Sequence, residues 1–170
     1  ASFGRAQVTK LDGYLKTQEE NAMEFIENVK DIPGLIPPIV PAGHKHIWYN
    51  ITMHIDAKKL GYKGKDTELR DGILKALAAE GAQCNIWQHY ILPAMTVFQA
   101  QNAYGKGCPW TCPNAQKVVY NPLDYPVSQR HCDTHFGMTM PFRAPNSRKT
   151  AKMIAGAFKK VFENLGDLGL

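Results

Sequence analysis

The stretch RDGILKALAAEGAQCNIWQHY, residues 70–90, limits the fold more than any other part of the chain. Leu69, Ile73, Leu74 and Leu77 recur at helical spacing, Gly81 supplies a C-terminal stop, and Cys84-Asn85-Ile86-Trp87 can then enter a strand. The pattern predicts a helix delivered directly onto a sheet. Beyond Tyr90 the chain turns irregular and rich in Pro, Gly, Trp and Tyr, so that end of the sheet is expected to carry a structured loop and a site.

The rest of the chain is read around this unit. Val8, Leu11, Leu15, Ala22, Phe25 and Val29 step by three, four or seven, which predicts one long helix over 1–31. At ~1.5 Å per residue it would be ~45 Å long, more than a small domain needs, and is expected to reach beyond it. The chain starts at Ala1 inside this pattern, without Met or a cap, which suggests a segment upstream. A dimerisation arm is the other reading. The proline-rich connector 32–42 excludes helix and is expected to run extended.

From His46 to Asp56 the residues alternate, with Ile47, Tyr49, Ile51, Met53 and Ile55 assigned to one face of a strand. Phe136, Met138 and Met140 mark a last strand, and Ser147 can cap a final helix facing the core through Ile154, Phe158, Val161, Phe162 and Leu165. Residues 124–132 read as a short helix with Pro126 in its first turn. The order implies an α/β (α+β) fold, a mixed or antiparallel sheet of about three strands covered by helices on one side.

Length and composition permit one sizeable core: 170 residues, 44% hydrophobic. No apolar run approaches the ~18 residues of a membrane span, and the start lacks a signal-peptide pattern, so no membrane partner and a cytoplasmic location are expected. The net charge of +5 is concentrated near the C-terminal end, where a solvated helix face accounts for it without nucleic acid.

Among chemical candidates, Trp87, Gln88, His89 and Tyr90 end the central strand. They either line a ligand pocket, with His89 able to exchange a proton, or simply cover the core. Cys108 and Cys112, followed by His131, Cys132 and His135, offer an alternative reading as a zinc-binding module; otherwise they are cysteines in a loop core. His46 and His54 would be roughly 26 Å apart on an extended strand at ~3.3 Å per residue, so these and His44 are read as surface or hydrogen-bonded histidines. There is no GxSxG, Walker loop, GxGxxG or HExxH.

Several phrases, taken in order, resemble the C-terminal part of the DegT/DnrJ/EryC1/StrS family of pyridoxal-phosphate (PLP) aminotransferases, of fold type I. These are GRAQVTKLDGYL (4–15), DIPGL (31–35), HIWYNITMHID (46–56), RDGILKALAAEGA (70–82), YPVSQR (125–130) and MTMPFRAPNS (138–147). The resemblance implies an interdomain helix over 1–31 and a small C-terminal domain over 32–170. It also implies that the cofactor lysine and the other PLP contacts belong to a large domain or subunit, leaving no catalytic residue in this chain. The loop after the central strand would shape the acceptor subsite, which maps onto Trp87, Gln88, His89 and Tyr90. Here QHYILPAM departs from the tyrosine, prolines and histidine common in relatives, and GCPWTC is an unusual insertion. The implied reaction moves an amino group from glutamine or glutamate to a keto sugar or keto cyclitol in a homodimeric enzyme. A chain without the lysine is expected to be inactive alone, or to serve as the interaction subunit of a split enzyme.

Overall fold

A computed structural model describes residues 1–169, with Met140 by its backbone only. It forms two compact units, Ala1–Ile86 with Thr134–Leu170, and Trp87–Asp133. In the first unit the N-terminal periodicity folds as two helices rather than one, α1 (Ser2–Val8) and α2 (Leu11–Val29). The break falls at Thr9, whose hydroxyl donates to the Ala6 carbonyl at 2.9 Å. Such local bonding competes with helix propagation, and apolar spacing does not record it. The stripe also divides: Ala22, Phe25 and Val29 are buried, while Val8 and Leu11 are exposed.

The start of the connector is a turn rather than extended chain, with the Leu35 amide donating to the Ile32 carbonyl at 3.2 Å, and it enters β1 (Leu35–Ile36), which pairs antiparallel with β2 (Ile51–Ile55) through Leu35 opposite Ile55. Gly34 makes the entry possible. Its φ is +77°, and a Cβ there would fall 2.3 Å from Cγ of Leu60. The strand expected from His46 is shorter than its alternation suggested. Trp48 takes a positive φ of 55°, and its amide donates to Nδ1 of His46 at 2.8 Å, so the pleat begins only at Ile51. The inversion has a clear consequence: Trp48 is buried, whereas Ile47 and Tyr49, assigned to the core face, are exposed. Ile51, Met53 and Ile55 are buried as expected.

Next comes α3 (Asp66–Ala79), which ends as the sequence predicts. Gly81 has φ +82°, its amide reaches the Ala78 carbonyl, and the Ala82 amide reaches that of Leu77 at 2.8 Å. These two bonds satisfy the last carbonyls, and the buried Leu77 and Ala82 accompany them. The strand expected at 84–87 does not form. Asn85 alone makes a bridge, exchanging backbone hydrogen bonds of 2.9 Å with Gly137. A single bridge suffices to steer the chain along the sheet, so the apolar residues there carry no ladder.

The second unit holds α4 (Thr96–Ala100) and all but the last residue of α5 (Pro126–Thr134), which opens on Pro126 as expected. β3 (His135–Met138) follows at once and pairs antiparallel with β2, placing Phe136 opposite Met53 and Met138 opposite Ile51. The side chain of Met140, expected to continue this alternation, lies outside the described residues. After β3 comes α6 (Arg148–Glu163), with Ser147 at its N-cap but without a side-chain capping bond.

The sheet order is β1-β2-β3, all antiparallel, with helices covering one side. Phe25 of α2 meets Phe142 and Phe158 at ring-centroid distances of 5.1 Å each, and Phe136 of β3 stacks on Phe158 of α6 at 6.3 Å. Asn21, buried on α2, donates to the carbonyls of Phe142 and Asn146 at 3.1 and 3.0 Å. Those bonds fix the segment before α6 against α2, since a buried amide left unpaired would cost about 1–3 kcal/mol.

Candidate functional site

The second unit is built around two short helices and the loop between them. Pro93 begins a 3-10 turn over Leu92–Ala94, and Met95, in extended conformation, leads into α4. Gln101 stops α4 in the left-handed region at φ +46°. The loop is then tied back by side-chain amides. Nε2 of Gln99 donates to the carbonyls of Pro93 and Tyr120 at 2.6 and 2.7 Å, and Nε2 of Gln101 donates to that of Val118 at 2.7 Å. Trp110 Nε1 donates to the Tyr120 hydroxyl at 2.9 Å, and both rings meet Phe98, with centroid separations of 6.1 and 5.2 Å. Asn121 receives the Leu123 amide at 3.2 Å and starts the turn into α5.

These elements enclose a cavity of about 580 Å³ lying wholly within the second unit. Ile91, Leu92, Pro93 and Val127 supply its aliphatic wall, and Phe98, Tyr120 and Tyr125 its aromatic one. Gln88, Ser128, His131 and Cys132 bring polar atoms to it. Among the described residues no Asp, Glu, Lys or Arg lines the cavity. Such a lining suits an uncharged, partly apolar group oriented by a few hydrogen bonds. It does not fit PLP itself, because it offers neither a lysine amine for the cofactor carbonyl nor a cation for the phosphate.

Of the four residues at the end of the central segment, the structure brings Gln88 to the cavity. Trp87, His89 and Tyr90 stand in the adjoining loop, exposed, and do not line it. His131 and Cys132, read from sequence only as metal ligands, lie on α5 and face the cavity. Spacing gave no sign of this role; the only signal was the aromatic density of 98–125 ahead of the Tyr125-Pro126 helix start.

Cys108 and Cys112 do come together, with Sγ atoms 3.8 Å apart. His131, Cys132 and the fully buried His135 do not join them, and among the described residues no three His, Cys, Asp or Glu side chains form a metal-holding group. The pair's hydrogen bond and partial burial raise the Cys108 thiol above the ordinary range. Burial pushes Cys84 up to about 12. His44 and His46 bond within their own loop, and His54 Nδ1 lies 2.9 Å from the Thr134 hydroxyl.

The DegT/DnrJ/EryC1/StrS aminotransferase family matches residues 1–136. The spore coat polysaccharide biosynthesis protein SpsC of Bacillus subtilis (strain 168) is 34% identical over 73 residues, 42% of this chain and 19% of that protein. The fold is similar to that of the aminotransferase TlmJ from Streptoalloteichus hindustanus, with TM-score 0.66, 16% identity, and coverage of 96% of this chain and 36% of that one. S. venezuelae DesV gives a TM-score of 0.67 at 13% identity, over 94% of this chain and 35% of that one. The chain therefore spans about a third of the length of these structures.

Proposed function

This chain belongs to the DegT/DnrJ/EryC1/StrS aminotransferase family, and we propose that it is the C-terminal part of a PLP-dependent aminotransferase acting in amino sugar formation. The family match across residues 1–136, which takes in the whole second unit and residues 1–86 of the first, carries this reading. In the complete enzyme the amino donor is glutamine or glutamate and the acceptor a keto sugar or keto cyclitol. The cofactor, held by residues outside this chain, supplies the electron sink for moving the amino group.

This chain's share is to bind and orient the acceptor and to keep water from it. The neutral cavity supports that role, since its aromatic wall and the Gln88 amide, Ser128 hydroxyl and His131 imidazole can receive an uncharged ring with hydroxyl groups. Trp87, His89 and Tyr90, exposed beside it, extend the acceptor subsite. Residues 1–31 serve as the interdomain helix region and 32–170 as the small domain. Phe3, Val8, Leu11 and Tyr14 are exposed on α1 and α2, an apolar face suited to a large PLP-binding domain or subunit. The enzyme works in the cytoplasm as a homodimer.

The isolated 170-residue chain is expected to be inactive. Incubated with PLP and then freed of excess by gel filtration, it should retain no cofactor band between ~300 and 500 nm and carry no stoichiometric mass gain on a lysine after borohydride reduction. A stoichiometric reduced adduct on one of its own lysines would overturn the assignment of the cofactor to the rest of the enzyme. With the complete polypeptide and glutamine or glutamate, mass spectrometry should detect aminated product from a keto sugar or keto cyclitol. Failure with every such acceptor, in PLP-loaded enzyme, would overturn the reaction class.

A further inference from the structure

We propose that Cys108 and Cys112 form a redox-active dithiol, which closes to an intramolecular disulfide on reaction with a small disulfide such as glutathione. The proposal starts from the unequal environments of the four thiols. Cys132 is buried and Cys84 half-buried, whereas Cys112 is exposed and has the sulfur of Cys108 3.8 Å away. A disulfide needs about 2.05 Å, so the two sulfurs must approach by a little under 2 Å. Residues 111–119, which include Cys112, are all exposed, so the movement can come from the Cys112 side.

The two thiols also differ in role. Cys108 is the half-buried member and Cys112 the exposed one, open to a disulfide arriving from solvent; the contact with Cys112 also raises the Cys108 thiol. Cys112 is therefore the first nucleophile. Its thiolate attacks one sulfur of the glutathione disulfide, breaking that S–S bond, forming a mixed disulfide and releasing one glutathione thiolate. Cys108 then loses its proton to solvent and attacks the Cys112 sulfur, releasing the second glutathione. Two cysteine thiols are oxidised by two electrons, and one glutathione disulfide is reduced to two thiols.

The pair sits where its state can be felt at the cavity. Trp110 lies between the two cysteines in sequence, donates to the Tyr120 hydroxyl and packs edge-on against Phe98 and Tyr120. Phe98 and Tyr120 line the cavity. Drawing Cys108 and Cys112 together moves the segment carrying Trp110 against that wall. The inference does not depend on which acceptor the cavity takes.

The test uses the whole reduced chain, treated with glutathione disulfide, quenched with iodoacetamide and weighed intact. The expected product has lost two hydrogens, keeps two thiols open to alkylation after denaturation, and yields a peptide joining Cys108 to Cys112. In the native reduced chain Cys112 should alkylate at least about ten-fold faster than Cys84 or Cys132. Cys108→Ser should stop with one glutathione on Cys112. Dithiothreitol should reverse closure, and the accompanying change in tryptophan fluorescence should vanish in Trp110→Phe. Retention of four thiols, a bridge involving Cys84 or Cys132, or a wild-type chain that stops at a glutathione adduct each overturns the proposal. Should Cys108→Ser fail to fold, the wild-type peptide map decides alone.

Discussion

In the unit comprising Ala1–Ile86 and Thr134–Leu170, buried side chains from three helices and the sheet merge into one hydrophobic cluster. In Trp87–Asp133 only Ile91 and Cys132 are buried, and the chain is held instead by glutamine amides on backbone carbonyls and by the rings of Phe98, Trp110 and Tyr120. The difference sets where function can lie. A close-packed core resists deformation. A loop unit fixed by a few directional bonds leaves a cavity open and lets its wall respond to what happens nearby.

The strongest test of this contrast is Phe158→Ala. Phe158 has no exposed surface and meets Phe25, Phe136 and Phe162. Its truncation is expected to cost about 3–5 kcal/mol, read as a large fall in the urea midpoint followed by far-UV circular dichroism. A loss below about 1 kcal/mol would mean that the cluster is not what stabilises the first unit. Next in size is Gly137→Ala. An added Cβ would lie 2.7 Å from Oδ1 of Asn50 and 3.0 Å from the Ile51 carbonyl oxygen. With backbone on one side, β2 and β3 must spread, so a cost of about 1–3 kcal/mol is expected. An unchanged midpoint would show that the sheet yields more readily than its packing implies.

This contrast also explains what could be read from the amino acids. Phe25, Ile73, Leu77, Phe158 and Phe162 were legible as core because burial imposes a helical period on them. The Gly81 stop was legible because a left-handed position favours glycine. The break at Thr9 and the positive φ of Trp48 were not, since each depends on a local hydrogen bond that leaves the apolar pattern intact. Gln88, which the structure places at the cavity, could be singled out from sequence because it adjoins the periodic unit. Tyr120 and Ser128 were not singled out, and His131 was read as a metal ligand, because the links that bring them to the cavity, such as Gln99 to Tyr120, span irregular chain with no period. The family resemblance lay in the order of whole phrases, which survives such local departures.

A smaller effect with a different signature is expected from Gln99→Ala. Both of its amide bonds are lost, each worth about 0.5–1.5 kcal/mol, and no apolar burial is involved. Amides of residues 93–121 should exchange roughly ten-fold faster, as about 1.4 kcal/mol of local stability implies, while those of α6 keep their protection. Equal loss of protection in α6 would break the distinction between a burial-stabilised unit and a bond-stabilised one.

The smallest effect is expected where the first unit makes the same kind of exposed polar link. Lys160 Nζ lies 2.7 Å from Oε1 of Glu80, joining α6 to the C-cap of α3 much as Gln99 joins its two segments. The difference is redundancy. Phe158, Phe162 and Leu77 already hold these helices by burial, and both charged side chains retain access to water. Coulombic gain is then offset by side-chain entropy and screening, leaving about 0–1 kcal/mol. In a double-mutant cycle with Glu80→Gln and Lys160→Ala, the coupling should stay under about 0.5 kcal/mol and fall further as salt rises. A coupling above about 1 kcal/mol, insensitive to salt, would show that the first unit also depends on directional polar links, and the contrast would then reduce to one of packing density.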